Sequence, residues 1–231
     1  YCGTIEETLF LNSRFLLNQQ GYFQLLEGDG IFDKNSLKTF WNNHTLCNGL
    51  HNLFVKRLDT ELRITSSNDL VRNNQPEKYP IYKLYNSETL ATTLSDYFRQ
   101  AFGVDLIVNR NEMRTVPLHI GQAPDKTAYT IDKQDDYYKK VSTLPKLQDQ
   151  GDGMRSFASI LLDTFTSEYS ITLIDEPEAF LHPPQARVLG KMLAKNNPTN
   201  RQLFISTHSE DFLQGLLDAD NENVYCVIQI Y

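Results

Sequence analysis

Apolar and polar positions alternate in a regular way from about residue 150 onward. "GDGMRSFASILLDTF" opens on glycines and then places Met154, Phe157, Ile160, Leu161 and Phe165 at helical spacing. "SITLID" is a short apolar run with the length and β-branched content of a buried strand. "PPQARVLGKMLAKN" predicts a helix with proline in its first turn, where the missing N–H does no harm. "RQLFISTHS" predicts a second buried strand, "SEDFLQGLLDAD" a helix capped by Ser209, and "NVYCVIQIY" a closing strand. Strand and helix in alternation imply an α/β fold, with a mainly parallel sheet flanked by helices.

The first 150 residues are less regular and predict an irregular α+β part. "NLFVKRL" and "VDLIVN" have strand character, and "SSNDLVRNNQPEKYP" is polar enough for a loop. "NSETLATTLSDYFRQAF" sets Leu90, Leu94, Tyr97, Phe98 and Phe102 on one helical face behind a cap at Asn86 or Ser87. "NEMRTVPLHIGQAPDKTAYTID" has no clear period and room for one more strand. "FLNSRFLL" and "NSLKTFWNNH" look partly helical, and "EGDG" looks like a turn. No internal repeat or low-complexity tract interrupts the chain.

Composition narrows the function classes. The chain has 231 residues, with 22 basic and 29 acidic side chains and a formal net charge of −7, so it carries no overall basic signature for nucleic acid. Three widely spaced cysteines, Cys2, Cys47 and Cys226, form no metal or disulfide pattern and suit a reducing cytoplasm. No long apolar run or signal-peptide pattern is present. The chain begins at Tyr1 and not at Met, from which a further upstream segment is expected.

Chemistry concentrates at two predicted strand ends. One ends in Asp175-Glu176, the other in Ser206-Thr207-His208. Adjacent acids at the end of an apolar strand are costly unless they hold a cation or orient a water. In a parallel α/β sheet, ligands collect at the carboxyl ends of strands. An Asp-Glu pair there suits a Mg²⁺-associated acid followed by a residue that activates the attacking water, and a histidine on the next strand can reach the same phosphate.

From Gln148 to Tyr231 the chain resembles the ABC/SMC-type ATPase superfamily. "QGDGMRSFASILL" is similar to the signature motif and its helix, "ITLIDEP" to Walker B with its catalytic glutamate, "EAFLHP" to the D-loop segment and "FISTHS" to the switch-histidine strand. The form "DEPEAFLHP" resembles the OLD-like, RecF-like branch of AAA ATPases, whose members serve DNA repair or antiphage defence, several with a Toprim nuclease or a separate nuclease. The resemblance implies ATP and Mg²⁺ as cofactors, Asp175 as the metal-associated acid, Glu176 as catalytic base and His208 as switch histidine. It also implies nucleotide contacts from Gly151, Asp152, Gly153 and Arg155 of the signature and from His182 of the D-loop. These contacts would be made across a homodimer or higher oligomer, with a nuclease or effector as partner and DNA as a further one.

Two departures stand out. Gly151 occupies the place of the signature serine, and Asp152 brings negative charge beside the phosphate unless it turns away or Arg155 offsets it. No G-x-x-x-x-G-K-[ST] phosphate loop occurs, since Lys38-Thr39 and Lys126-Thr127 lack the glycines. The chain is therefore expected to be one ATPase head (1–231) whose phosphate loop lies upstream. Residues 1–147 would form its irregular lobe, and residues 148–231 the lobe with signature, Walker B and switch histidine. A non-catalytic, ATPase-like scaffold that oligomerises and sequesters a toxin or nuclease is the alternative from another class. A transporter's energising subunit fits poorly with "EAFLHP". Glu178 stays open between structural and functional roles, while His44, His51 and His119 lack ligand spacing. Tyr137 to Lys140 suit a surface element better than a nucleic-acid contact, and Lys56, Arg57 and Arg63 suit a solvated face.

Overall fold

The computed structural model describes residues 15–17, 23–25, 31–32, 39, 55–65, 70–71, 80–111, 115–125, 134–167 and 169–219. The chain divides into two compact units, residues 1–56 with 169–171, and residues 57–168 with 172–231. In the first, β1 (Phe15–Leu17), β2 (Phe23–Leu25) and β3 (Ile31–Phe32) form an antiparallel meander with Phe15 opposite Leu25 and Phe23 opposite Phe32. The helical character expected around Phe15 is thereby corrected. Three residues are too few to reveal a period, and cross-strand pairing decides their state. The expected elements at 27–30 and 223–231, and the three cysteines, lie outside the described residues.

The second unit follows the expected α/β alternation. In chain order after β4 (Val55–Leu58) come α1 (Thr60–Thr65), β5 (Leu70–Val71), α2 (Pro80–Asn86), α3 (Glu88–Phe102), β6 (Asp105–Val108), β7 (Thr115–Val116) and β8 (Leu118–Gly121). Then follow α4 (Gln134–Ser142), a 3₁₀ turn at Leu147–Asp149, α5 (Asp152–Thr166), β9 (Ile171–Asp175), α6 (Pro183–Asn196), β10 (Gln202–Ser206) and α7 (Glu210–Leu217). Serine side chains cap α3 and α7: Ser87 Oγ accepts from Leu90 N–H, and Ser209 Oγ from Phe212 N–H. The unpatterned stretch after β6 holds two strands: β7 pairs antiparallel with β5, and β8 with β6.

β10, β9 and β4 lie side by side in that order. The last residues of β9 and β10 meet, with Glu176 N–H donating to Ser206 O at 2.9 Å, so these strands run parallel across the α6 crossover. α5 is the central helix. Phe157, Ile160 and Leu161 are fully buried, and they join Leu58, Ile174, Leu189, Leu193 and Phe212 in one core. Its last carbonyls are satisfied by cations: Lys83 Nζ donates to Thr166 O at 2.8 Å and Arg201 Nη2 to Thr164 O at 3.1 Å. α6 and α7 cross closely because Gly190 faces the backbone of Phe212 and Gly215 that of Arg187, where a Cβ has no room.

The strands differ from expectation in one respect. β9 and β10 are not buried on both faces: Ile174 is buried, whereas Leu173 and Phe204 are 37% and 55% exposed. Side chains of a strand alternate between faces, and the helices named above cover only one. Asp175 and Ser206 continue the open face at its carboxyl end, so the acidic strand end opens to solvent.

Candidate functional site

The carboxyl ends of β9 and β10 bring Asp175, Glu176, Ser206 and His208 together. Ser206 Oγ donates to Asp175 Oδ1, which fixes the Asp175 carboxylate at the rim of the sheet. Glu176 follows with φ 43, a left-handed conformation that is uncommon away from glycine. Its carboxylate Oε1 lies 3.5 Å from His208 Nε2, and both side chains are open to solvent, at 51% and 90%. Glu176 and His208 thus face each other in solvent, and the Asp175–Ser206 pair sits exposed at the same two strand ends.

Glu178 holds this cluster from behind. Its Oε1 accepts from Thr207 Oγ1 at 2.6 Å and from His208 N–H at 3.1 Å, so one carboxylate oxygen fixes the turn that carries His208. Its Oε2 is buried without a hydrogen-bond partner. Thr207 Oγ1 also accepts from Ser209 N–H at 3.1 Å, which links the clamp to the start of α7. The open question over Glu178 gains a definite geometry: it packs behind the site and orders the histidine turn.

Arg63 is a correction. The sequence suggests a solvated face for it, but its side chain is fully buried. Asp59 caps α1 by accepting from Leu62 N–H at 2.9 Å, and one turn of helix then points Arg63 under the acid pair. Its Nη1 donates to Asp175 O at 2.7 Å and Leu58 O at 3.2 Å, its Nη2 to Glu176 O at 3.0 Å and Thr60 Oγ1 at 3.1 Å, and its Nε to Ser156 Oγ at 3.0 Å. Burial pushes its guanidinium below the ordinary arginine value, and the charges of Asp175, Asp59, Glu178 and Glu176 oppose that shift. Arg57, by contrast, is exposed.

The signature-like residues lie at the start of α5. Gly151 is the N-cap, with no side-chain capping bond. Asp152 pairs with Arg155 through Oδ1 and Nη2, so the negative charge beside the helix start is offset within its own turn. Gly153 lies against the chain's own 177–182 turn: a Cβ there would stand 2.5 Å from Phe180 O. The need for glycine at this position is thus met inside one chain. His182 is exposed at the start of α6, where its N–H donates to Gln185 Oε1 at 3.0 Å. His119 is buried in β8, with Nδ1 2.8 Å from Leu144 O. Tyr137 to Lys140 form part of α4, with Lys139 and Lys140 on its exposed side as a surface element requires and Tyr137 buried.

Mg²⁺ takes oxygen donors and keeps several waters. The exposed Asp175 carboxylate with the Ser206 hydroxyl beside it is a donor set of that kind, and among the described residues no group of three or more His, Cys, Asp or Glu gathers as a metal cage. Sequence reasoning singled out Asp175-Glu176 and Ser206-Thr207-His208 because they end apolar strands, though not the bond between Asp175 and Ser206. It missed Arg63 and Ser156, for which no local signal exists. Among the described residues no helix is long and apolar enough to cross a membrane.

The model of a family described as "AAA domain, putative AbiEii toxin, Type IV TA system" matches residues 80–213, a stretch that includes Asp175, Glu176 and His208. No curated protein matches the chain. Among solved structures, a Pyrococcus furiosus Smc head domain with an extended coiled coil, bound to the C-terminal domain of ScpA, aligns with TM-score 0.40 at 10% identity, covering 61% of this chain and 33% of that one. An SmcHead bound to the C-winged helix domain of ScpA aligns with TM-score 0.43 at 10% identity, covering 87% of this chain and 60% of that one. The chain thus spans a third and three-fifths of the lengths of these two structures.

Proposed function

The chain belongs to that AAA family, and on this premise we propose that it is the catalytic head of an ATP hydrolase whose cycle gates a nuclease or effector in antiphage defence or DNA repair. The observation that carries the proposal is the pairing of Glu176 with His208 and of Asp175 with Ser206, both open to solvent at the carboxyl ends of two adjacent strands. When bound, MgATP supplies the phosphoryl group and the cation that offsets its charge. Asp175, held by Ser206, presents a carboxylate to that cation. Glu176 accepts the proton of the attacking water, and His208 donates a hydrogen bond toward the transferring phosphate. Glu178 keeps His208 within reach of both.

The signature-like start of α5 supports a homodimer or higher oligomer with composite sites, each helix start meeting the partner copy's nucleotide through Gly151 and Gly153 backbone N–H groups. Phosphate-loop contacts come from a segment upstream of the matched motifs. The OLD-like branch, the head-and-lobe organisation at 1–147 and 148–231 and a cytoplasmic setting are parts of the same proposal. The family description also names a toxin of a type IV toxin–antitoxin system, which favours keeping the second role, a head that sequesters a toxin or nuclease without turnover.

The two roles separate on nucleotide binding by the complete protein. The hydrolase requires magnesium-dependent ATP binding that Asp175→Ala weakens by about tenfold or more, as expected for a group on the metal. Binding that survives both chelation and this substitution would leave Asp175 as a turn residue and favour the scaffold.

A further inference from the structure

Arg63 lies outside the stretch matched by the family model, yet it meets the backbone of both strand-end acids. A guanidinium has five N–H donors in a rigid planar fork. Here the fork reaches four parts of the fold at once: the end of β4 at Leu58, its own helix at Thr60, the carbonyls of Asp175 and Glu176, and Ser156 in α5. Glu176 needs such a hold. At φ 43 a non-glycine residue relaxes unless its surroundings over-determine it. Both peptide groups of Glu176 are held, the N–H by Ser206 O and the C=O by Arg63 Nη2 from the side of α1 and by Ala179 N–H within its own turn. Without Arg63 the carbonyl keeps only the bond from Ala179 N–H inside the same turn, so the turn is no longer tied to α1 and α5 and the Glu176 carboxylate loses its fixed aim at His208.

We propose that Arg63 is the positioning residue of the acid pair, and that its bond to Ser156 makes the aim of Glu176 depend on the seating of α5. Ser156 is fully buried, four residues into the helix whose start carries Gly151 and Gly153. A shift of that helix start, of the kind a ligand or second copy would impose, pulls on Ser156 Oγ and through the guanidinium on the Glu176 carbonyl. The path is short and every contact on it is buried or half-buried. This inference rests on the proposal that Glu176 activates water.

The test uses the complete protein and four variants, Arg63→Lys, Ser156→Ala, Arg57→Ala and Glu176→Gln. Two quantities are read: steady-state MgATP hydrolysis, and amide hydrogen exchange of residues 172–180 without nucleotide. Lysine retains the charge but cannot span the carbonyls, and a misplacement of about 1 Å costs on the order of 10²-fold. Arg63→Lys is therefore expected to lower kcat by roughly 10²-fold with KM within about threefold, and to speed exchange in 172–180 on the order of tenfold. Ser156→Ala removes one hydroxyl and changes both readouts in the same direction, kcat by about fivefold, the weight of one hydrogen bond. Arg57→Ala changes neither. If Arg63→Lys fails to fold, Ser156→Ala decides. Parental kcat and exchange in Ser156→Ala, with hydrolysis slowed in Glu176→Gln, overturns the inference and leaves the Glu176 proposal standing. Unslowed hydrolysis in Glu176→Gln overturns both. Faster exchange throughout the chain, with KM and kcat lost together, marks Arg63 as a fold residue only and also overturns the inference.

Discussion

Gly153→Ala sets two effects of opposite sign against each other. Gly153 is the second residue of α5, and alanine is favoured over glycine within a helix by about 0.5–1 kcal/mol. Against this, the new Cβ would stand 2.5 Å from Phe180 O, 3.4 Å from Phe180 C and 3.5 Å from Leu181 Cδ2. A comfortable carbon–oxygen contact is about 3.3 Å, so the overlap is roughly 0.8 Å, and it falls on backbone. The turn cannot yield freely, because Ala179 N–H donates to Glu176 O at 3.0 Å and Leu181 N–H to Glu178 O at 2.8 Å. Overpacking costs about 1–3 kcal/mol, and a backbone obstacle puts this case in the upper part of that range. The net expectation is a loss of about 1–2 kcal/mol, or a Tm lower by roughly 2–8 °C for a chain of this size. Urea denaturation at constant m-value measures it, with faster amide exchange at 177–182 as the local signature. An unchanged or raised midpoint would show that helix propensity wins and that the turn is pliable, which refutes the close-packed junction.

Glu178→Ala removes two charge-assisted hydrogen bonds whose donors regain water, for a net loss of about 1–2 kcal/mol, and it loosens the His208 turn. A kcat lowered about tenfold at unchanged KM checks the second effect. Tyr137 is pushed up to about 12 by burial. Its folded value lies above the unfolded value of about 10, so its contribution to stability is complete below pH 10 and is lost as pH rises through about 12. Denaturation midpoints of the parent should fall between those pH values, and Tyr137→Phe should flatten that fall.

The caps and the central helix were legible because their signals are local. Ser87 and Ser209 bond to amides three residues on, and the apolar spacing of α5 contains its own period. Asp175 and Glu176 stood out because charge interrupts an apolar strand. Arg63 did not, since its sequence surroundings are those of any amphipathic surface helix. Its partners lie 93, 112 and 113 residues away, at Ser156, Asp175 and Glu176. Glu178 was ambiguous for the same reason, with Thr207 29 positions on. The exposure of Leu173 and Phe204 was hidden because an apolar strand reads alike whether one face or both are packed.

Hydrolysis by the Glu176→Gln variant of the complete protein tests the central claim most directly. Glutamine keeps the shape of the side chain and its reach to His208, but it cannot accept the water's proton. Single-turnover phosphate release should slow by ~10²–10⁴-fold while magnesium-dependent ATP binding stays at the parental level. Turnover within about threefold of the parent, in protein shown to bind ATP, would contradict the assignment of Glu176 as the base.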